Sequence, residues 1–247
     1  MAERSAIVTG ASAGIGLAMV RALLAEGFSV TMAARDVARL EAAAEQVVKG
    51  IDSGDPSVTI QALDAGQLEA VEAMVAAHLE REGRLDVVVA NAGTGTRSPA
   101  ADVRHKDLER MTRVNVYGPF ALARACMPAL RASAAGGGRP WFVVTSSLSA
   151  VWPMTDFAAY SATKGVGLSL ARSISAEEQG NGVRACAICP AFVDTDMTTW
   201  THDQVAPTAM LSPDDVAEAM RFLLRLSPSA LVPEIVIQRV GAPAFVP

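Results

Sequence analysis

The chain contains 247 residues, of which 51% are hydrophobic, and its formal net charge is −5. This length can bury a large core, and we expect one domain over residues 1–247. The acidic balance, without a run of Lys or Arg, argues against nucleic acid or an anionic membrane as a partner. No stretch reaches the length of a membrane span and the N-terminal apolar run is too short for a signal peptide, so we expect a cytoplasmic location.

Short β-branched or apolar runs alternate with longer amphipathic runs along the chain. This alternation is typical of βαβ units around a parallel sheet that is buried on both faces. Because such crossovers are right-handed, it predicts an α/β fold, a Rossmann-type doubly wound parallel sheet of about seven strands with helices on both faces. The predicted strands cover residues 5–10, 28–34, 57–63, 85–90, 140–146, 183–189 and 234–238. The predicted helices cover residues 14–26, 36–49, 66–82, 103–132, 157–180 and 213–226.

A glycine-rich loop, Thr9–Gly16, joins the first predicted strand to the first predicted helix. Gly10 permits a tight turn there, and Gly16 lets the helix approach the sheet closely. The backbone N–H groups of the loop and the partial positive charge of the helix N-terminus suit a pyrophosphate. A close-packed turn that binds nothing is the alternative interpretation of such a loop taken alone. The residues predicted to bind the cofactor here are Gly10, Ser12, Gly14, Ile15 and Gly16.

The end of the second predicted strand bears on the choice of cofactor. An NAD site needs an acidic residue at this position to bind the ribose 2′-hydroxyl, but the chain has Ala34 there, followed by Arg35. The guanidinium of Arg35 could instead clamp a 2′-phosphate. We therefore predict that NADP(H) is preferred and that NAD(H) is possible. The alternative is that Arg35 only pairs with a surface carboxylate such as Asp36 or Glu41.

Two further segments follow predicted strands at the same edge of the sheet. Asp64 comes after the third strand, where its carboxylate could accept a hydrogen bond from an adenine amino group. Asn91, Ala92 and Gly93 follow the fourth strand and are predicted to form the cofactor-side wall of a crevice at the carboxyl ends of the strands. Together with the glycine loop, these residues predict a dinucleotide site.

Tyr160 and Lys164 lie four residues apart in the predicted helix 157–180, so their side chains stack on one face. The ammonium can favour the phenolate and bring the pKa of the phenol closer to neutral pH. Ser147 ends the preceding strand, and the intervening loop can place its hydroxyl beside the phenol, where it could bind a carbonyl oxygen. A Tyr-x-x-x-Lys pattern alone is more often a packing or surface feature, but its combination with Ser147 and the glycine loop favours catalysis.

These motifs resemble those of the short-chain dehydrogenase/reductase family, in its single-domain branch. The resemblance extends from Ser5 to about Ile237 and adds an Asn of the fourth helix, here Asn115. It implies interconversion of a carbonyl compound and its secondary alcohol, with Tyr160 as general acid/base. It also implies that Ser147 orients the substrate oxygen, that Lys164 binds the nicotinamide ribose, and that Asn115 holds a water linking Lys164 to solvent.

By the same resemblance, Pro190, Val193 and Thr195 belong to the segment that contacts the nicotinamide carboxamide. The family usually has Gly after this proline, and Ala191 here could shift the loop. The C-terminal strand, at residues 233–238, lacks the usual glycine-rich ending and leads into residues 241–247. A homo-oligomer, either a tetramer or a dimer, is still expected.

Six apolar residues border the expected substrate crevice, three before Tyr160 and three after Ala191. We predict that they form an apolar pocket for a hydrophobic alcohol or ketone, with residues 192–212 as a mobile lid. Ordinary core and subunit packing is the alternative for each of them. The six residues are Trp152, Met154, Phe157, Phe192, Met197 and Trp200.

Cysteine and histidine residues do not predict a metal site. Cys186 and Cys189 lie in a predicted strand, where a separation of three places their sulfurs on opposite faces, so we expect buried structural residues. We expect all three histidines, His78, His105 and His202, to be exposed to solvent.

Two alternative functions remain open: an NAD-dependent alcohol dehydrogenase of the same fold and a non-catalytic NADP-binding sensor.

Overall fold

The computed structural model describes residues 4–49 and 57–242; the first three residues and residues 243–247 of the C-terminal tail discussed above lie outside this part. The strands are β1 Arg4–Thr9, β2 Phe28–Ala34, β3 Val58–Ala62, β4 Val87–Ala90, β5 Trp141–Thr145, β6 Arg184–Pro190 and β7 Glu234–Ile237. The helices are α1 Gly14–Ala25, α2 Val37–Lys49, α3 Leu68–Glu82, α4 His105–Thr112, α5 Gly118–Ala135, α6 Leu148–Val151, α7 Ala158–Glu178 and α8 Pro213–Arg225.

All seven strands form one parallel sheet in the order β3-β2-β1-β4-β5-β6-β7. From β1 the chain proceeds outward on one side through β2 and β3, and on the other side through β4 to β7. The order therefore reverses between β1 and β4, which is where doubly wound sheets open a crevice for ligands. The predicted Rossmann-type fold is confirmed.

Both faces of the sheet are buried by helices, as the apolar strands predicted. In β5, Trp141 packs into the core on one face and Phe142 into the core on the other. In β6, Cys186 and Cys189 likewise belong to opposite faces, and both thiols are free and buried. The prediction that these two cysteines are structural is confirmed. Across the described ranges, no helix is both long and apolar enough to cross a membrane.

The predicted helix at 103–132 is not continuous. Helix α4 passes into one wide π-helical turn at Arg113–Tyr117 before α5 begins. Asn115 lies in this turn, and its side chain makes hydrogen bonds to a neighbouring loop. A π-turn keeps the backbone helical and spans only one turn, so propensity and length alone do not reveal it in the sequence.

The expectation that all three histidines are exposed holds for His105 alone, because His202 is partly buried and His78 is fully buried. His78 is only 1% exposed and lies on α3, against Ser5 of β1 and Thr31 of β2. Its Nε2 is 3.1 Å from Ser5 Oγ and its Nδ1 is 2.8 Å from Thr31 Oγ1. Burial lowers the pKa of His78 to about 4, with Arg81 acting in the same direction and Glu82 against it. The neutral imidazole is therefore a structural hydrogen-bonding group.

Replacing His78 should change how stability depends on pH. The pKa of His78 is about 4 in the folded protein, below its ordinary value of 6.5, so protonation favours the unfolded chain. The contribution of the neutral imidazole to the free energy of unfolding is complete above pH 6.5 and is lost as the pH falls toward about 4. Between about pH 7 and pH 5, the free energy of unfolding should fall by about 2 kcal/mol more in the wild type than in His78→Gln.

Urea unfolding at the two pH values measures this difference. His105→Gln is the matched control, because it makes the same chemical change at an exposed position on α4. Equal pH dependence in the wild type and His78→Gln would contradict the interpretation.

Candidate active site

A crevice opens at the carboxyl ends of the strands, on both sides of the reversal between β1 and β4. It consists of two adjoining cavities of about 480 and 660 Å³ that share the glycine loop and residues 92–94 as walls. The smaller cavity extends toward the ends of β2 and β3, and the larger one toward β5, α7 and residues 190–200. Together they provide an elongated site.

The glycine loop forms the floor of this crevice between β1 and α1. Gly10 and Gly14 have φ of +65° and +52°, which side chains rarely adopt. A Cβ on Gly16 would lie 2.2 Å from the carbonyl oxygen of Gly10, so glycine is required there for the helix to approach the loop. Helix α1 begins at Gly14, and its free N–H groups suit a phosphate. Ser12 and Ile15 also line the crevice, as predicted.

Hydrogen bonds fasten the glycine loop to the end of β4. Thr9 Oγ1 accepts hydrogen bonds from the backbone N–H groups of Asn91 and Ala92, each at 3.1 Å. Asn91 Nδ2 donates to the carbonyl oxygens of Thr9 and Gly10 at 3.0 and 3.2 Å. Asn91 therefore lines the crevice, as predicted, and also fixes the loop that forms its floor.

Arg35 lies exposed at the wall of the smaller cavity, directly after β2. Within residues 4–49 and 57–242 it forms no ion pair, so pairing with Asp36 or Glu41 is not observed. Asp36 instead accepts a hydrogen bond from the backbone N–H of Arg39 at 3.0 Å. The side chain of Arg39, also at the wall of the crevice, forms a 2.6 Å ion pair with Asp196, and both side chains are exposed.

Asp64 lies at the far end of the smaller cavity, after β3. Its Oδ1 accepts a hydrogen bond from the backbone N–H of Gly66 at 3.0 Å, which fixes the carboxylate in the wall. The carboxylate thus lies where the adenine contact was predicted, and the contact itself stays a prediction.

Ser147, Tyr160 and Lys164 come together in the larger cavity. Ser147 caps the N-terminus of the short helix α6, and the loop that follows returns the chain so that the Ser147 hydroxyl acts on Tyr160 and lowers the pKa of its phenol. Tyr160 and Lys164 lie one helical turn apart on the same face of α7. The predicted proximity of the three side chains is therefore observed.

The Lys164 side chain is buried, and its Nζ donates a 2.8 Å hydrogen bond to the carbonyl oxygen of Thr145 at the end of β5. Burial lowers the pKa of Lys164 to about 8, which leaves the ammonium mostly protonated at neutral pH. A Cβ on Gly93 would lie 2.9 Å from this Nζ, so the glycine provides the space that the ammonium occupies.

The pKa of Tyr160 differs from the expectation. Burial raises the pKa of its phenol above the ordinary value, and the hydrogen bond with Ser147 acts in the opposite direction without compensating. The raised pKa runs against the expected lowering by Lys164, whose ammonium donates to the carbonyl oxygen of Thr145. Burial therefore favours the neutral phenol.

Asn115 lies behind Lys164 and does not line the crevice. Its Oδ1 accepts from the N–H of Thr94 at 2.9 Å, and its Nδ2 donates to Thr94 O at 2.8 Å and to Thr163 Oγ1 at 3.0 Å. The side chain thus joins the π-turn to the loop after β4 and to α7. Its part in a water relay stays a prediction.

The segment after β6 forms the opposite wall, with Pro190, Val193 and Thr195 at the larger cavity. The N–H of Ala191 donates to Ile237 O at 2.8 Å, and its backbone φ is not in the left-handed region, so alanine replaces the usual glycine without backbone strain. The expected shift of the loop is therefore not required by the backbone.

Aromatic residues from two segments meet at the mouth of the larger cavity. The ring centroid of Trp200 lies 5.4 Å from that of Phe157 and 5.9 Å from that of Phe192. Met154 and Met197 also line this cavity, so five of the six predicted pocket residues share it. Trp152 is not among the lining residues.

Sequence reasoning did not single out three residues that the geometry brings to the site. They are Ser149, beside Ser147, and the exposed pair Arg39 and Asp196. Ser149 could have been found from its position two residues after a predicted catalytic serine. The Arg39–Asp196 pair joins residues 157 positions apart, and no local pattern predicts it.

Comparison with known proteins identifies the family. The family profile described as short chain dehydrogenase matches residues 4–206. A 2-(R)-hydroxypropyl-CoM dehydrogenase of Xanthobacter autotrophicus is 34% identical over 206 residues, covering 82% of this chain and 79% of that protein. An agropine synthesis reductase of Rhizobium rhizogenes is 31% identical over 230 residues, which are 92% of this chain but only 50% of that protein.

Solved structures agree with this match. An alcohol dehydrogenase of the archaeon Thermococcus sibiricus, complexed with 5-hydroxy-NADP, has a TM-score of 0.84 and 31% identity, covering 96% of this chain and 97% of that one. A 3-ketoacyl-(acyl-carrier-protein) reductase of Brucella melitensis, complexed with NADH, has a TM-score of 0.85 and 28% identity, with 96% of each chain covered. The chain therefore belongs to the short-chain dehydrogenase family of oxidoreductases.

Adding a methyl group at Gly93 should disturb the ammonium of Lys164 without unfolding the protein. The atom it would meet is the end of a flexible side chain, which can move away at the cost of its hydrogen bond to Thr145. We expect Gly93→Ala to lower kcat/KM by roughly tenfold or more, because a charge-assisted hydrogen bond is lost.

Gly165→Ala is the matched control, since an added Cβ on this neighbour of Lys164 meets no atom within 4 Å. Steady-state oxidoreductase kinetics and thermal unfolding of both variants make the test. Similar activity losses in the two variants would argue against a specific effect on Lys164.

Proposed function

We propose that the protein is an NADP(H)-dependent oxidoreductase that interconverts a carbonyl compound and its secondary alcohol. The observation that carries this proposal is the meeting of Ser147, Tyr160 and Lys164 in the same crevice as the glycine loop. One end of that crevice suits a dinucleotide, and the other holds a proton donor. The named activities of the relatives, which are dehydrogenases and reductases, agree with it.

The glycine loop would hold the dinucleotide through its backbone N–H groups and through the space left by the missing side chains. Pro190, Val193 and Thr195 would lie against its nicotinamide, and Lys164 against the adjoining ribose. When bound, the nicotinamide supplies or accepts the hydride. The remaining chemistry, which is the movement of one proton and the orientation of the substrate oxygen, falls to the protein.

Tyr160 would donate its phenolic proton to the substrate oxygen during reduction and take it back during oxidation. Ser147 would hydrogen-bond the same oxygen as negative charge develops on it. The buried ammonium of Lys164 would stabilise the phenolate that remains after proton donation, because charge interactions are strong where water is excluded. Asn115 would hold the π-turn and the loop after β4 in place around this ammonium.

The preference for NADP(H) rests on Arg35. Its side chain stands at the wall of the smaller cavity, and no carboxylate in the described part of the chain occupies it. Ala34, at the end of β2, offers no acidic group to the ribose 2′-hydroxyl. These features favour a 2′-phosphate over a 2′-hydroxyl.

The substrate would be an apolar carbonyl compound or alcohol. Phe157, Phe192 and Trp200 form an aromatic wall at the mouth of the cavity. Residues 192–212 would act as the lid, because Leu211 exchanges backbone hydrogen bonds with Phe192 and Asp194 and so brings the two ends of this segment together. The segment is thus closed at its two ends and carries Trp200 between them, which suits a loop that covers an apolar substrate.

Removing the phenolic hydroxyl should abolish turnover and leave cofactor binding intact. For Tyr160→Phe we expect kcat to fall by roughly 10²- to 10⁴-fold, the usual contribution of a positioned acid or base. NADPH oxidation with a panel of aliphatic, aromatic, steroid-like and quinone carbonyls measures turnover, and NADPH fluorescence measures binding.

The same pair of measurements separates this proposal from the non-catalytic sensor. A sensor would bind NADPH tightly in both the wild type and Tyr160→Phe and would reduce no carbonyl in either. Wholesale loss of NADPH binding in Tyr160→Phe would instead give the tyrosine a structural role.

Removing the guanidinium of Arg35 should weaken NADPH selectively. We expect Arg35→Ala to raise the KM for NADPH by roughly 10- to 100-fold and to leave the KM for NADH nearly unchanged, because only the 2′-phosphate loses a charged partner. Kinetics with both cofactors at two salt concentrations measure this effect.

Arg21→Ala is the control for loss of one positive charge, since Arg21 is exposed on α1 and does not line the crevice. If Arg35→Ala leaves the NADPH-to-NADH ratio unchanged, the NAD-dependent alcohol dehydrogenase becomes the better description.

A further inference from the structure

Ser149 stands directly beside Ser147 in the wall of the larger cavity. The residue is only 1% exposed, although Ser147 itself is partly open to the crevice. Its Oγ lies 2.9 Å from Ser147 Oγ, and its backbone N–H donates to the same Ser147 Oγ at 3.2 Å. Two groups of Ser149 therefore contact one hydroxyl oxygen.

The hydrogen-bonding capacity of Ser147 limits how these contacts are arranged. A hydroxyl offers one proton and two lone pairs. The N–H of Ser149 takes one lone pair, which leaves one lone pair and the proton for the hydroxyls of Ser149 and Tyr160. Ser147 must then accept from one of these hydroxyls and donate to the other.

Burial decides between the two arrangements. In the described part of the chain, Ser147 is the hydrogen-bond partner of the Ser149 hydroxyl. If Ser147 donated to Ser149, the proton of Ser149 would be left buried without an acceptor, which costs more than an unused lone pair. The lower-energy arrangement has Ser149 donating to Ser147, and Ser147 donating to the oxygen of Tyr160.

We propose that Ser149 is a positioning residue that fills the second lone pair of Ser147 and thereby aims the Ser147 proton at Tyr160 and the substrate oxygen. The proposal rests on the proposed function. This arrangement also leaves the phenolic proton of Tyr160 for the substrate oxygen, because Ser147 has no lone pair left to accept it.

The first test titrates Tyr160 directly, without cofactor or substrate. The chain has two tyrosines, Tyr117 and Tyr160, so in a Tyr117→Phe background the phenolate absorbance reports Tyr160 alone. In Ser149→Ala, Ser147 regains a free lone pair that can accept the phenolic proton and stabilise the neutral phenol. We expect the titration midpoint of Tyr160 to rise by roughly half a unit to one unit.

The second test is kinetic. Ser149→Ala should lower kcat by roughly 3- to 10-fold, with the KM for NADPH unchanged, and should shift the acid limb of the pH profile for alcohol oxidation upward. Ser149→Thr keeps the hydroxyl and should restore both the midpoint and kcat. Ser175→Ala is the matched control: this serine is 3% exposed and donates to Ala185 O at 2.7 Å, away from the crevice.

An unchanged titration midpoint in Ser149→Ala would overturn the proposal. So would a raised substrate KM with an unchanged kcat, which would show that Ser149 binds the substrate instead. If Ser149→Thr fails to fold, the titration midpoint of Tyr160 in Ser149→Ala, compared with that in Ser175→Ala, still tests the proposal. The titration uses neither substrate nor cofactor, so its result does not depend on the proposed function. Failure of the proposed function would be shown separately, by an active Tyr160→Phe.

Discussion

The site depends on the hydrogen bonds between Thr9 and Asn91. They join the ends of β1 and β4, the two strands between which the strand order reverses and the crevice opens. The β1–β4 ladder ends at the pair Val8 and Val89, so these side-chain hydrogen bonds continue the connection beyond it. With the two strand ends fixed, the glycine loop on one strand and Gly93 on the other keep a constant separation. Every other group of the crevice is placed relative to these two walls.

Beyond this clamp, the charge of the site depends on the buried ammonium of Lys164. Lys164 is held by a backbone carbonyl and not by a carboxylate, so its charge is solvated by the protein but not neutralised. Burial raises the pKa of Tyr160 and so favours the neutral phenol. Under the proposed function, the ammonium would stabilise the site most once the phenol has given up its proton and carries a negative charge.

The sequence predicted the sheet and most of the crevice because both depend on local patterns. Buried strands are continuous apolar runs, and the motifs at their carboxyl ends converge once the sheet is parallel. The failures involve partners distant in the chain: His78 is buried against Ser5 and Thr31, and Lys164 is held by Thr145. No periodicity records such contacts. The homo-oligomer and the cytoplasmic location stay predictions.

The backbone hydrogen bonds that join the two ends of residues 192–212 affect which sequence changes this segment can accept. The bonds of Leu211 with Phe192 and Asp194 use backbone atoms, which nearly any side chain permits. Residues between them can be exchanged, added or removed while Val193 stays beside the crevice and α8 still begins at Pro213. Since lengthening a loop adds little closure entropy, this segment can diverge freely among descendants of one enzyme. Under the proposed function, new substrates could then be acquired by changes in this one loop, with Ser147, Tyr160 and Lys164 unchanged.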